Sequence, residues 1–519
     1  MIHDHLDRLA DANPQCEFAI HRERCVRARE AARFVNRLAN GLLTEGIQVG
    51  DRVAILSRNS IEYALLFFAI SKAGAVAVPL NFRLAPPEWN FILNDSAAVL
   101  LFASPEFVPD VDAIRQELRG IRRFVAIGEA APSGWESWPD ALLAGSDLAP
   151  VIEYGSDPDV LQMYTSGTTG LPKGAVLTHR GWEAATGASE TLFRSAPGER
   201  VLLVLPMFHI FGAAVTCVNA RWGSCLYVLD EFNPAETVRA LDEERIGIAP
   251  LVPAMIQACL MPAAGAAGRS FANLRQIIYG ASPIAEMTLR RAVETFGCGF
   301  LQLYGLTEYS PVTALTEQDH LRALNEKTEL LLSAGRAVAG VELQVVDLHG
   351  EVVPPGQAGE IMARGVYRMR GYWKQPQATA DTLCDGWLHT GDVGYLDEDG
   401  YLYIQDRMKD TIVSGGENIY PREVEAALTR LPEVADVAVI GVPHDRWGEC
   451  VKAVIVLRQG ATLTEDQAIA FCRTRIASYK VPYSVDFVEG LPRTASGKVL
   501  KRQLREPYWK GRERRVAGA

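Results

Sequence analysis

The sequence predicts an α/β protein: a large N-terminal domain of layered α/β subdomains closing on a small β subdomain, followed by a small α+β C-terminal domain. Three observations carry this. Apolar runs of strand length alternate with helical patterns between residues 30 and 303, as α/β layering requires. From Gly340 the texture turns to short alternating strands with turn signals, and after Asp406 to a compact mixture of helices and strands. At 519 residues the chain exceeds what one hydrophobic core holds, so a division into 1–405 and 406–519 is expected.

Residues 30–46 read as helix, 52–56 as strand, 61–73 as helix and 75–79 as strand. Farther on, 201–205, 274–279 and 299–303 read as strands and 234–245 as helix. The β subdomain shows in 341–347 and 401–404. In the last part 421–431 reads as a helix with proline in its first turn, 437–440 and 451–456 as strands, and Thr464-Glu-Asp-Gln467 as a capping box opening another helix.

Composition narrows the function. Nearly half the residues are hydrophobic and the net charge is -11, which suits a globular enzyme for small molecules better than a nucleic-acid binder. Nine scattered cysteines form no C-x-x-C pair, so neither a zinc site nor a disulfide framework is expected and a reducing cytoplasm fits. The longest apolar stretch, 201–220, is broken by Pro206, His209, Gly212 and Asn219 and reads as strand, turn and helix rather than a membrane span. The N-terminus lacks the apolar core of a signal peptide. The basic tail 510–515 reads as a solvated end, with peripheral contact to an acidic membrane as the alternative.

The segment Tyr164-Thr-Ser-Gly-Thr-Thr-Gly-Leu-Pro-Lys-Gly174 concentrates the chemistry of polyphosphate binding. Gly167, Gly170 and Gly174 allow tight turns that bring backbone N–H groups to an anion. Thr165, Ser166, Thr168 and Thr169 add neutral donors, and Lys173 adds a charge. The flanks read as strands, so the arrangement is strand, loop, strand, and the loop is not a Walker P-loop opening a helix. On its own it supports a nucleotide site or an ordinary polar loop.

More polar clusters follow in order: Pro206-Met-Phe-His-Ile-Phe-Gly212, Tyr279-Gly-Ala-Ser-Pro283, Tyr304-Gly-Leu-Thr-Glu308, Leu388-His-Thr-Gly-Asp392, Asp406-Arg-Met-Lys-Asp410, Ser414-Gly-Gly-Glu417 and Pro492-Arg-Thr-Ala-Ser-Gly-Lys498. With the glycine loop at its head, this series resembles the adenylate-forming superfamily of acyl-CoA synthetases, adenylation domains and beetle luciferases. The resemblance covers essentially the whole chain. It implies ATP, Mg²⁺ and coenzyme A as cofactor and substrates, and a C-terminal domain that moves between two half-reactions.

Residue by residue, the resemblance implies that the glycine loop cradles the β- and γ-phosphates. Glu308 would hold Mg²⁺, a hard cation that favours carboxylate and phosphate oxygens. Thr307 would donate to the α-phosphate, Asp392 would clamp the ribose hydroxyls and Arg407 would support them. Gly280, Ala281, Ser282 and Tyr304, with Gly305 beside it, match the adenine slot. Lys498 matches the cation that bridges substrate carboxylate and α-phosphate, Lys409 the hinge, and Gly415 and Gly416 the passage for the pantetheine thiol. His209 matches a residue between nucleotide and acyl pockets that stacks or gates; in an apolar run it reads equally as a core histidine.

The acyl pocket is expected around His209, Phe211, Val215, Leu303, Tyr309, Pro311 and Val312, with no Arg or Lys to neutralise a second carboxylate. A hydrophobic monocarboxylic acid follows, a medium- or long-chain fatty acid first and an aromatic acid of the ferulate, coumarate or benzoate type second. Leu303 and Tyr309 depart from coumarate-ligase-like patterns. The expected protein is a monomer or homodimer that ligates an acid to CoA; its rivals are an enzyme loading a carrier-protein thiol, a luciferase-like oxygenase and a nucleotide sensor.

Overall fold

The computed structural model describes residues 1–128, 131–138, 145–165, 172–282, 284–414, 417–444, 447–493 and 498–510. Two large sheets form its body. One runs, in spatial order, through Arg336–Ala337, Tyr309–Leu315, Gly299–Leu306, Gln276–Gly280, Ile246–Leu251, Arg200–Leu203, Cys225–Val228, Glu17–His21 and Arg24–Arg27. The other runs through Gly371–Tyr372, Lys173–Thr178, Asp159–Thr165, Val76–Pro79, Arg52–Leu56, Ala98–Ala103, Arg123–Ala126 and Glu136–Ser137.

Strand residues alternate between two faces, and here the alternation assigns each sheet two cores. Val53 and Ile55, with Val201 and Leu203, enter a shared core filled by the helices Ala28–Thr44, Ile61–Lys72, His179–Phe193 and Ile210–Trp222. The intervening Leu202 and Val204 serve a second core on the outer face of the first sheet, and Ala54 and Leu56 a third on the outer face of the second sheet. Helix Ile61–Lys72 is buried all round, which explains why its sequence is apolar on every side; Ser60 caps it by accepting from Tyr63 N at 3.0 Å.

The stretch after Gly340 forms an antiparallel sheet in the order Val341–Val346, Gly359–Gly365, Trp387–Leu396 and Leu383–Cys384, with Leu402–Arg407 paired to Trp387–Leu396. A last sheet, Glu417–Ile419, Ile412–Ser414, Gly448–Leu457 and Val434–His444, with Ser484–Phe487 alongside, has its own core around Ile412, Val424, Val439, Ile455 and Cys472. The expected capping box forms in both directions: Thr464 Oγ1 accepts from Gln467 N at 3.3 Å and Thr464 N donates to Gln467 Oε1 at 2.9 Å.

The sequence expectation of a strand at 437–440 captures only the middle of Val434–His444. Pairing with Gly448–Leu457 continues from Val434 opposite Leu457 to His444 opposite Gly448, through polar ends that an apolar run cannot mark. The helix expected over 421–431 stops at Leu428. The stretch 201–220 is a buried strand followed by Ile210–Trp222, and no helix among the described residues is long and apolar enough to cross a membrane.

Candidate active site

Five neighbouring strands of the first sheet, from Cys225–Val228 to Gly299–Leu306, run parallel, so their carboxyl ends share one edge. Loops at that edge are where open α/β sheets bind ligands. His209 follows the strand Arg200–Leu203, Gly280-Ala281-Ser282 ends Gln276–Gly280, and Tyr304 to Glu308 end Gly299–Leu306. The second sheet delivers Thr165 at the end of Asp159–Thr165, and Thr165 Oγ1 stands 3.4 Å from Glu308 Oε1. Residues far apart in the chain are thus joined across the two sheets.

Asp159–Thr165 and Lys173–Thr178 pair antiparallel with Thr165 opposite Lys173, the expected strand, loop, strand. Ser166, Gly167, Thr168, Thr169 and Gly170 lie outside the described residues. Gly174 is not a loop glycine as expected. It sits inside the strand opposite Tyr164, and a Cβ there would meet the Tyr164 ring and the Gln162 amide at 3.0 Å, a tight cross-strand contact that favours its small size.

The ribose and adenine candidates are tightly built. Tyr304 donates its phenol to Asp392 Oδ2 at 2.6 Å, and Asp392, almost fully buried, has its backbone N–H on Thr390 Oγ1 at 3.1 Å. Arg407 pairs by backbone with Asp392; its side chain, that of Lys409, and residues Gly415 and Gly416 lie outside the description. A Cβ on Gly280 would stand 2.4 Å from the Leu303 carbonyl oxygen, so only glycine lets the two strands approach there. Ala281 holds φ +68°, a left-handed conformation that costs a non-glycine residue about 1–2 kcal/mol.

Glu308, half-buried, receives a second hydrogen bond, from the Tyr372 phenol to Oε1 at 2.8 Å. Lys173 Nζ stands 5.0 Å over the Tyr372 ring. One carboxylate beside hydroxyls and an ammonium suits Mg²⁺, which binds through one or two carboxylates and the oxygens of substrate phosphates. Among the described residues no group of three or more His, Cys, Asp or Glu forms an all-protein metal cage.

His209 precedes the helix Ile210–Trp222, its ring 4.5 Å from that of Phe208, and its Nε2 is shielded from solvent with no hydrogen-bond partner among the described residues. Burial, then the positive charges of Lys498 and Arg83, push its pKa down to about 4. Lys498, exposed, therefore brings its charge within reach of the imidazole although it follows the last sheet in the chain.

A cavity beside Thr307 and Ser310 is lined by Leu177, Trp182, Ala185, Ile210, Tyr367 and Arg368. Of the expected acyl residues, Val215 faces a second apolar cavity with Phe193 and Trp222, and Tyr309 and Val312 are sealed in the shared core. Phe211 and Leu303 pack against that core, and Pro311 lies in the strand Tyr309–Leu315. None of the expected acyl residues lines the cavity beside Thr307, whose wall includes Arg368, and the charge of Arg83 is felt at His209. Sequence reasoning missed Arg83, Trp182 and Tyr372. The only signal for Tyr372 was an aromatic ring in a two-residue strand, which resembles any packing residue.

The family model for AMP-binding enzymes matches residues 6–373, and that for the C-terminal domain of AMP-binding enzymes matches 423–498. A feruloyl-CoA synthase from Amycolatopsis is 40% identical over 96% of this chain and 98% of its own. The long-chain-fatty-acid–CoA ligase FadD13 of Mycobacterium tuberculosis is 37% identical over 92% of each. ATP-bound MatB from Rhodopseudomonas palustris superposes with a TM-score of 0.87 at 30% identity, covering 98% of this chain and 99% of that one.

Proposed function

The chain belongs to the AMP-binding enzyme family and is an acyl-CoA synthetase, and on that premise we propose that it activates a hydrophobic monocarboxylic acid as acyl-AMP and passes the acyl group to CoA. The observation that carries this reading is the likeness over nearly the whole chain to a long-chain-fatty-acid–CoA ligase and a feruloyl-CoA synthase; a small cavity beside Thr307, with Arg368 in its wall, lies at the candidate site. A medium- or long-chain fatty acid is the first substrate class. An aromatic acid is the second, favoured by Trp182 and Tyr367 in the cavity wall and by the likeness to a feruloyl-CoA synthase.

In the first half-reaction an acid oxygen attacks the α-phosphorus of ATP, the bond to the pyrophosphate oxygen breaks, and acyl-AMP and pyrophosphate result. Thr165, Lys173 and the glycine loop hold the departing phosphates. Asp392, oriented by the Tyr304 phenol, accepts from the ribose hydroxyls, and Gly280, Ala281 and Ser282 border the base. Thr307 donates to the α-phosphate, and Lys498 stabilises the charge that accumulates on its oxygens during attack. Mg²⁺, held by Glu308 and phosphate oxygens, would neutralise charge on the triphosphate.

In the second half-reaction the CoA thiolate attacks the acyl carbonyl carbon and AMP leaves. Lys498 is not needed there and would block the thiol, so we place a hinge at Lys409, between residues 1–405 and 406–519, and a thiol path along Gly415 and Gly416. Nine free thiols suit a reducing cytoplasm as the setting.

Pyrophosphate release should be measured across a panel of fatty and aromatic acids, with and without CoA. Acid-dependent release with thioester formed only when CoA is present is the expected result. Release without any thioester would replace CoA by a carrier-protein thiol, and no acid-dependent release would remove the ligase reading altogether.

A further inference from the structure

The segment 369–373 spans the gap between the two ends of the phosphate site. At one end Met369 N donates to the Glu308 carbonyl at 2.8 Å. At the other, Arg370 N donates to the Val176 carbonyl at 2.7 Å and Trp373 N to the Gly174 carbonyl at 2.8 Å, so the segment is laced to the strand that begins with Lys173. Tyr372 pairs with Ala175 on that strand, and its N–H is taken by Thr379 Oγ1 at 2.9 Å. These backbone hydrogen bonds, with the Arg370 guanidinium on Asp159 Oδ1 at 2.7 Å and the Trp373 indole N–H on the Asp95 carbonyl at 3.0 Å, hold the segment in place without the Tyr372 hydroxyl.

The Tyr372 side chain packs partly against the shared core, and two of its contacts, of different kinds, reach candidate site residues. Its phenol donates to Glu308 Oε1 at 2.8 Å, and Lys173 Nζ stands 5.0 Å from its ring centre. The hydroxyl can be removed without touching the backbone anchors or the ring. A donor on one oxygen of a carboxylate fixes the plane of the group, and fixing a metal-binding carboxylate in this way changes metal affinity by about 10–100-fold. An ammonium over an aromatic face is held by the ring quadrupole, which keeps the lysine extended rather than free to collapse onto an acidic neighbour.

The geometry points to Tyr372 as a positioning residue that sets the Glu308 carboxylate for Mg²⁺ through its hydroxyl and steadies Lys173 for the polyphosphate through its ring. This rests on the reading of Glu308 as the metal-holding carboxylate. Tyr372 touches neither acid nor nucleotide in this role; it acts through the two residues it contacts.

The test is binding of a fluorescent non-hydrolysable ATP analogue to the full-length protein, titrated with Mg²⁺ in the absence of acid and CoA, on Tyr372→Phe, Tyr372→Leu and Glu308→Gln. Tyr372→Phe should raise the half-saturating Mg²⁺ concentration by about tenfold while leaving the melting temperature and the Mg²⁺-free affinity for the analogue unchanged. Tyr372→Leu should weaken Mg²⁺-free binding as well, because the ring under Lys173 is gone. Glu308→Gln should lose the Mg²⁺ response. An unaltered Mg²⁺ midpoint in Tyr372→Phe, with the response lost in Glu308→Gln, would overturn the positioning role and leave Glu308 as the metal carboxylate. A normal Mg²⁺ response in Glu308→Gln would instead remove the metal reading, and the role of Tyr372 with it.

Discussion

At the proposed nucleotide end of the site, polar groups are tied to one another: Tyr304 to Asp392 at 2.6 Å and Tyr372 to Glu308 at 2.8 Å. Around His209 and, deeper in the shared core, Tyr309, the ring nitrogen Nε2 and the phenol Oη are closed from solvent and have no hydrogen-bond partner among the described residues. A buried polar atom left so costs about 1–3 kcal/mol. The difference separates a preorganised half, whose donors and acceptors already hold their geometry, from a half that carries a desolvation cost. Substitutions at the first should change affinity for ATP; substitutions at the second should change titration and acid preference.

The largest expected effect crosses between the halves. Lys498→Ala should slow pyrophosphate release by about 10²–10³-fold, the usual cost of removing one oriented donor from a developing oxyanion. Conversion of presynthesised acyl-AMP to thioester should stay close to wild type. Rapid-quench assays of each half-reaction measure both, and equal losses would abolish the division of labour between the two orientations.

Next comes Asp392→Ala, which removes a buried carboxylate and with it the hydrogen bond of the Tyr304 phenol. Hydrogen bonds to a charged group contribute about 1.5–3 kcal/mol, so KM for ATP should rise by about 10–100-fold. Tyr304→Phe should cost less, and the double variant should fall short of the sum because the two share one hydrogen bond. Strict additivity would mean that the phenol does not orient the carboxylate.

Gly280→Ala is smaller in activity but direct in cause. The new Cβ would lie 2.4 Å from the Leu303 carbonyl, which is backbone and must shift. Overpacking of this kind costs about 1–3 kcal/mol, readable as a lowered melting temperature together with weaker ATP binding. A stable variant with normal ATP binding would show that the adenine slot does not depend on this approach.

How legible this was follows from the kind of signal each residue leaves. Strands such as Arg52–Leu56 were readable to the residue because they are buried on both faces and wholly apolar after their first position. The polar clusters were readable because loops at parallel strand ends must carry unusual residues to do chemistry. Gly174 was misread because a glycine needed by a cross-strand tyrosine looks, in sequence, like a turn glycine. Tyr372 left only the signal of an ordinary packing aromatic and Arg83 left none, since the contacts that single them out come from residues distant in the chain: Glu308 for the first, His209 for the second. The cavity beside Thr307 was the least legible part. Its wall draws on His179–Phe193, whose Trp182 and Ala185 stand three residues apart, as core-facing residues do on any amphipathic helix.

The finest test of the two halves is titration of His209. Its pKa is about 4 in the folded protein against about 6.5 for an unperturbed histidine, with burial the larger cause and the charges of Lys498 and Arg83 adding to it. The unfolded chain therefore binds a proton at this residue between those values while the folded chain does not. Its contribution to stability is present above about pH 6.5 and is lost as pH falls toward 4. His3, His179 and His320 are depressed in the same direction, so the contribution of His209 must be read as the difference between wild type and His209→Asn in urea unfolding across that window. The imidazole is neutral between pH 6 and 8, so the rate of pyrophosphate release should show no step near 6.5, and such a step absent from His209→Asn would restore a proton-transfer role. Because part of the depression comes from Lys498, the Lys498→Ala variant should raise the His209 pKa as followed by NMR, but only partway, burial being unchanged. An unmoved His209 in that variant would mean that the lysine charge does not reach the imidazole, and the meeting of the two halves at this residue would be lost.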